Sequence, residues 1–259
     1  MLKKTPATFG DNVLNLSLPN SWDKLNDEQL RYVCYLLVRF DDIVTVKTYL
    51  FIRLTGIRVE EKRHDGWLCS LKISAFRKVR FYLVDWQVQS FISQLDFIEQ
   101  STDRPVRLSK IGRHRAAHPL LRGIVFQDYI ALENLYQGYL ITQNNELLQQ
   151  MSTLLYTSSE YMFFQKRYSE EECLSVFHWY SSLKNFFAKT FKYFFSCASS
   201  EGGDTPNMID VMNAEIRALT GGDITKENEI LNMDCWRALT ELNEKARETQ
   251  EYNDKYGSK

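Results

Sequence analysis

Arg104, Arg107, Lys110, Arg113, Arg115 and Arg122 stand within 19 residues that contain no Asp or Glu, joined by His114 and His118. Cations at this density neutralise phosphates without reading bases, so the segment points to a nucleic-acid backbone or another anion as its ligand. It lacks the interleaved aromatics on which single-stranded bases stack. The competing expectation is a solvated loop, or one docked on an acidic surface of another subunit. His114 and His118 are four apart, a spacing that on a helix puts both imidazoles on one side, as a zinc site requires. No Glu follows His114 in the H-E-x-x-H manner, Pro119 adjoins the pair and no Cys is near, so no metal is predicted.

The other chemistry-bearing residues read as structure. His178 lies among Phe177, Trp179 and Tyr180 as a core imidazole, and no Ser or Cys nucleophile pairs with it. Two Gly-Gly-Asp runs, Gly202–Asp204 and Gly221–Asp223, match neither phosphate-loop pattern and are expected to end one helix and start the next. Cys34, Cys69, Cys173, Cys197 and Cys235 are odd in number and widely spaced, which argues for small core residues in a reducing cytoplasm. Glu170 to Glu172 have no second carboxylate cluster to work with. No catalytic residue, cofactor or small-molecule substrate is predicted, and the chain is expected not to be an enzyme.

The elements that would position these residues are mostly helices. Asn26 with Gln29 forms a capping box for a helix from about Asp27, with the stripe Leu30, Val33, Cys34, Leu37, Val38. A second helix is expected over 43–54, stopped by Gly56. Short apolar groups between Trp67 and Val84 predict a β-hairpin insert, and Asp85 is read as the cap of a helix through Phe97. Residues 100–123 lack an apolar period and read as a loop. Helical spacing resumes over 126–140 and after Asn144. Ser169 ahead of three glutamates predicts the start of a long central helix to Cys197. The last helix is expected from Thr225, with the seam Leu231, Cys235, Leu239, Leu242 and Ala246. That seam fades into polar residues, so Leu231, Cys235, Leu239 and Leu242, with Trp236, are the candidate partner-contact surface. The fold class expected is mainly α, a multi-helix bundle-like protein with a small β-hairpin insert.

With 259 residues, 44% hydrophobic and 14% aromatic, the chain has material for a large core and is neither disordered nor a disulfide scaffold. The formal charge of -1 hides an asymmetry: residues 1–122 carry about +7 and residues 123–259 about -8. Three regions follow: a basic lobe 1–103, the basic linker 104–122 and an acidic helical lobe 123–259. No secretory leader is predicted. The most apolar stretch, 176–198, holds His178 and three lysines, too much charge for a membrane span.

Three segments are familiar together: 18–33 (LPNSWDKLNDEQLRYV), 126–136 (FQDYIALENLY), and 216–223 (IRALTGGD) with 236–242 (WRALTEL). They resemble proteins encoded in Bacteroides-type prophages and mobile elements. The resemblance implies a cytoplasmic or virion-associated protein of the phage tail or its assembly machinery, and it supplies no active site. The function expected is therefore structural or chaperone-like contact with itself or other assembly subunits. Nucleic-acid binding through the 104–122 segment is the alternative.

Overall fold

The structure, a computed structural model, describes residues 4–9, 12–157, 167–197 and 208–256. The chain divides into two compact units: residues 1–102 with 170–175, and residues 103–169 with 176–259. It is mainly α-helical with small antiparallel sheets.

In the first unit, strands β1 (Lys4–Phe9) and β2 (Asn12–Ser17) pair antiparallel. Helix α1 (Asp27–Arg39) opens with both halves of the predicted box: Gln29 N donates to Asn26 Oδ1 at 2.9 Å, and Asn26 N donates to Gln29 Oε1 at 3.0 Å. Asp42 accepts from the first amides of α2 (Ile43–Thr55), and Gly56, at φ 72°, ends that helix. Leu30, Val33, Cys34 and Leu36 are buried, while Val38, predicted inside, is exposed. Val38 shares the stripe of Cys34 four residues earlier but stands in the last turn of α1, one residue before its end at Arg39.

The expected hairpin is two strands of a three-stranded meander, β3 (Ile57–Arg63), β4 (Gly66–Lys72) and β5 (Lys78–Val84). Strand β3 escapes pattern reading because a bulge between Val59 and Glu61 breaks its alternation, and its second half is the charged run Glu60–Arg63. Ile57, Cys69, Phe81 and Leu83 fill the inner face. Asp85 is the first residue of α3 (Asp85–Ser93), not its cap: Val84 N donates to Gln87 Oε1 at 3.2 Å instead. The helix stops short of Phe97, which sits in a 3-10 turn, Asp96–Glu99. That turn receives the buried Lys47, whose Nζ pairs with Asp96 at 2.6 Å and with Glu99.

The second unit holds β6 (Lys110–Ile111), β7 (His114–Ala116), α4 (Phe126–Thr142), α5 (Asn145–Leu155) and β8 (Tyr156–Thr157). Helices α6 (Glu170–Thr190), α7 (Lys192–Cys197), α8 (Met208–Thr220), α9 (Glu227–Leu231) and α10 (Cys235–Tyr256) follow, the first six residues of α6 counting with the first unit. The Gly221–Asp223 turn ends α8 as expected, with Gly221 and Gly222 at positive φ, and Asn144 caps α5 by accepting from Glu146 N at 3.0 Å. The Gly202–Asp204 turn and the side chain of Cys197 lie outside the described residues.

Two long helices predicted as continuous are broken, each by a tertiary contact. The stretch from Glu170 to Cys197 is interrupted at Phe191, because Asn243 of α10 accepts from Tyr193 N at 3.0 Å and Phe194 N at 3.4 Å, capping a new start. The stretch from Thr225 onward begins with a 3-10 turn, Ile224–Lys226, and breaks after Leu231. There Phe126 N donates to Met233 O and Cys235 N to Ile124 O, forming an antiparallel bridge, and Asp234 then caps α10 through Trp236 N at 3.0 Å. Aromatic packing fills the core, with Trp179, Tyr180, Phe126 and Phe187 buried among Met151, Leu155 and Leu239. No helix among the described residues is long and apolar enough to cross a membrane.

Candidate functional site

The segment read as a structureless basic loop is a fastened hairpin. Strands β6 and β7 turn over Gly112–Arg113, and β7 pairs in turn with β8. Because cross-strand partners share a face, the Ile111–His114 pair is buried and the Lys110–Arg115 pair is exposed, with exposed Arg113 at the turn. Tyr156 donates to Leu108 O at 2.9 Å, and Ala117 N to Leu155 O at 2.8 Å, tying both ends down. Three of the predicted cations, Lys110, Arg113 and Arg115, therefore stand together on a rigid projection.

The remaining cations are placed differently. Arg107 lays its guanidinium 5.7 Å from the centre of the Trp179 ring, with Nε buried, and Arg122 stacks over Trp236 at 4.4 Å. Arg104 is exposed at the start of the segment. His114 and His118 do not share a helical face: His114 sits on a strand with its ring edge-on to Tyr168, and His118 Nδ1 accepts from Leu120 N at 3.2 Å. Among the described residues no group of three His, Cys, Asp or Glu is placed to hold a metal ion. The described thiols are buried, and burial pushes Cys34 and Cys235 up to about 12, where nucleophilic reactivity is suppressed.

The predicted contact seam is occupied within its own unit. Cys235, Leu239 and Leu242 are buried, Leu231 is half-buried on α9, and the Trp236 indole donates to Leu120 O while its ring packs on Phe187 and Phe191 at 5.7 and 5.4 Å. From Glu248 to Tyr256 every residue of α10 is exposed. The seam positions the end of the basic segment rather than presenting an apolar face.

A surface that the core-stripe reading passed over lies on the far side of the α1–α2 hairpin. Tyr32 and Tyr35 stack at 6.1 Å, Arg39 covers Tyr35 at 4.4 Å, Arg53 reaches Tyr32 at 5.7 Å, and Phe40 stacks on Tyr49 at 5.2 Å. Tyr35, Val38, Val44 and Tyr49 are 37–52% exposed. The sequence signal was the i, i+3, i+7 spacing of Tyr32, Tyr35 and Arg39, a second stripe opposite the core. No family model, curated protein or solved structure matches the chain.

Inside the second unit, Glu133 of α4 accepts hydrogen bonds from Lys184 Nζ at 2.7 Å, Tyr180 Oη at 3.1 Å and Gln137 Nε2 at 2.9 Å. Burial, then the neighbouring Glu133 carboxylate, pushes Glu215 of α8 up to about 7, and Lys184 opposes the shift. A folded-state value above the unfolded one means that this group's contribution is complete below about pH 4.5, declines as pH rises through 7 and is absent above. Glu215→Gln is expected to raise stability by about 2 kcal/mol near pH 8 and to change it little near pH 4, read by urea denaturation at both values. An open cavity of this unit, about 900 Å³, is lined by amides and aliphatic groups, including Asn134, Leu135, Gln150 and Leu154, with Glu146 and Arg167 at its edge. Its Gln149 is committed to both backbone groups of Tyr168.

Proposed function

We propose that this protein is a non-catalytic contact protein, structural or chaperone-like, that engages protein subunits through the aromatic and arginine face of α1–α2. The observation that carries this is the preassembled group Tyr32, Tyr35, Arg39, Phe40, Tyr49 and Arg53. Tyrosine and arginine dominate the energetic centres of protein interfaces, since they combine large area, few rotors and a polar tip. Mutual stacking holds these rings in place before a partner arrives, which lowers the ordering cost of association. The prophage resemblance points the same way and suggests tail or assembly subunits as partners, in the cytoplasm or the virion. Tyr35→Glu with Tyr49→Glu is expected to abolish co-purification with the products of adjacent genes, or concentration-dependent self-association in light scattering, while leaving the circular dichroism spectrum and melting temperature within about 2 °C of the parent. Retained association by the double variant would refute this reading.

A second reading is favoured by one observation, the outward Lys110–Arg115 pair with Arg113 at the turn. A fastened projection with three cations suits a phosphate backbone. Lys110→Gln, Arg113→Gln and Arg115→Gln together are expected to remove a low-salt gel shift on duplex DNA and to reduce its salt slope by about 3. Arg107 and Arg122 are left out of that test because their guanidinium groups are stacked on indole rings. Absence of any low-salt shift by the parent protein would eliminate this reading.

A further inference from the structure

The meander of the first unit ends in a tip that the reading above does not use. Between the last paired residues, Lys72 and Lys78, five residues turn back, fixed by Ile73 N to Arg77 O at 2.9 Å, Ser74 N to Arg77 O at 3.2 Å and Arg77 N to Ser74 O at 3.4 Å. The turn throws Phe76 entirely into solvent, and Ile73 is about half exposed. A single exposed apolar side chain needs no explanation, but here two of them, Phe76 and Ile73, stand uncovered within one five-residue turn that also carries Arg77. At the tip, on the outer face of the sheet, lies an open cavity of about 400 Å³ lined by Arg58, Lys72, Arg77 and Lys78 together with Phe76. The nearest acid of that face, Glu60, is paired with Lys78 and with Arg80 at 3.0 Å. Exposed apolar groups and cations therefore stand side by side at one tip, the combination that acyl chain and phosphate offer at a bilayer surface.

We propose that the β4–β5 tip docks on an anionic phospholipid surface, with Phe76 and Ile73 entering the interfacial layer and Arg58, Lys72 and Arg77 meeting lipid phosphates. Apolar insertion and cation attraction are separately weak, and stable attachment to a membrane surface takes both signals, which this tip combines. A nucleic acid would meet the same cations and could stack one base on Phe76, but aliphatic Ile73 offers a base neither a stacking face nor a hydrogen bond, so the two together suit an acyl layer better.

Co-sedimentation with vesicles of phosphatidylcholine and phosphatidylglycerol in equal parts tests this. The parent is expected to sediment with these vesicles at low salt and to stay in solution with phosphatidylcholine alone. Phe76→Ser is expected to reduce the partition coefficient about tenfold and Phe76→Leu to restore most of it, since Phe76 is exposed and either variant keeps the fold. Lys72→Gln with Arg77→Gln is expected to reduce it by roughly tenfold or more. The Lys110, Arg113 and Arg115 triple variant should sediment like the parent, which separates this surface from the second unit's hairpin. The proposal is overturned if anionic vesicles do not bind the parent, or if Phe76→Ser binds them as well as the parent does. It is also overturned if inorganic phosphate displaces the protein more than chloride at equal ionic strength. A duplex oligonucleotide that competes equally for the parent and for Phe76→Ser would assign the tip to nucleic acid instead.

Discussion

Trp179→Ala is expected to cost about 4 kcal/mol and to release the basic hairpin from the second unit. Trp179 is fully buried on α6, edge-on to Tyr156 with ring centres 6.0 Å apart, and its Nε1–H donates to Pro119 O at 2.9 Å. Arg107 lies over the same ring. One side chain thus touches the segment before the hairpin, the turn after it and the strand that pairs with it. Truncation leaves an indole-sized void, a Pro119 carbonyl without its donor and a guanidinium without its ring, and the first of these dominates. Trp179→Phe keeps most of the packing and loses the hydrogen bond, for an expected cost of about 1–2 kcal/mol. Since a whole domain is stable by only about 5–15 kcal/mol, the alanine variant should remain folded but open locally. Hydrogen exchange followed by mass spectrometry should show protection lost across residues 104–122 in Trp179→Ala and retained in Trp179→Phe. Unchanged protection there, with under about 1 kcal/mol lost in urea denaturation, would mean that Trp179 does not anchor the segment.

This dependence on contacts distant in sequence explains what was legible beforehand. The Asn26–Gln29 box, the Gly56 stop and the Gly221–Gly222 turn are local devices, complete within a few residues, and all three stand where their residue types place them. The breaks at Phe191 and at Asn232–Asp234 are not local: one needs Asn243 and the other the bridge to Val125. A helical periodicity runs through both points without a mark. The basic segment carried its charge openly, but its strands β6 and β7 are two and three residues long and complete their sheet with residues 156–157, too short and too remote for a pattern to register. The tyrosine face of α1–α2 was visible as residue types and was passed over because the core stripe of the same helix explained its spacing first. A helix has two faces, and only the packing shows which stripe is covered.

Gly66→Ala is expected to be the most damaging single-atom change in the first unit, at about 3 kcal/mol or more. Gly66 opens β4 after the two-residue turn at His64–Asp65 and pairs with Arg63 on one side and Val84 on the other. A Cβ built there would collide with Leu83 O and lie 2.8 Å from Val84 Cα, both backbone atoms that no rotamer change can move. To admit it, β5 must draw back at Leu83 and Val84, at the end that also starts α3 and receives Asp85 N on Asp65 O at 3.1 Å. Trp67, opposite Leu83, packs on Phe51, which stacks on Phe91 at 5.0 Å, so the displacement reaches the aromatic centre of the unit. Gly56→Ala is the control that separates collision from backbone preference. Its φ of 72° lies in the left-handed region, which a side chain adopts at a cost of about 1 kcal/mol, and the added Cβ would meet only Leu71 Cδ1 at 3.8 Å, so about 1 kcal/mol is expected. Hydrogen exchange should then show residues 66–84 exposed in Gly66→Ala and protected in Gly56→Ala. A loss in Gly66→Ala no larger than in Gly56→Ala would mean that the strands give way without the cost that the collision requires.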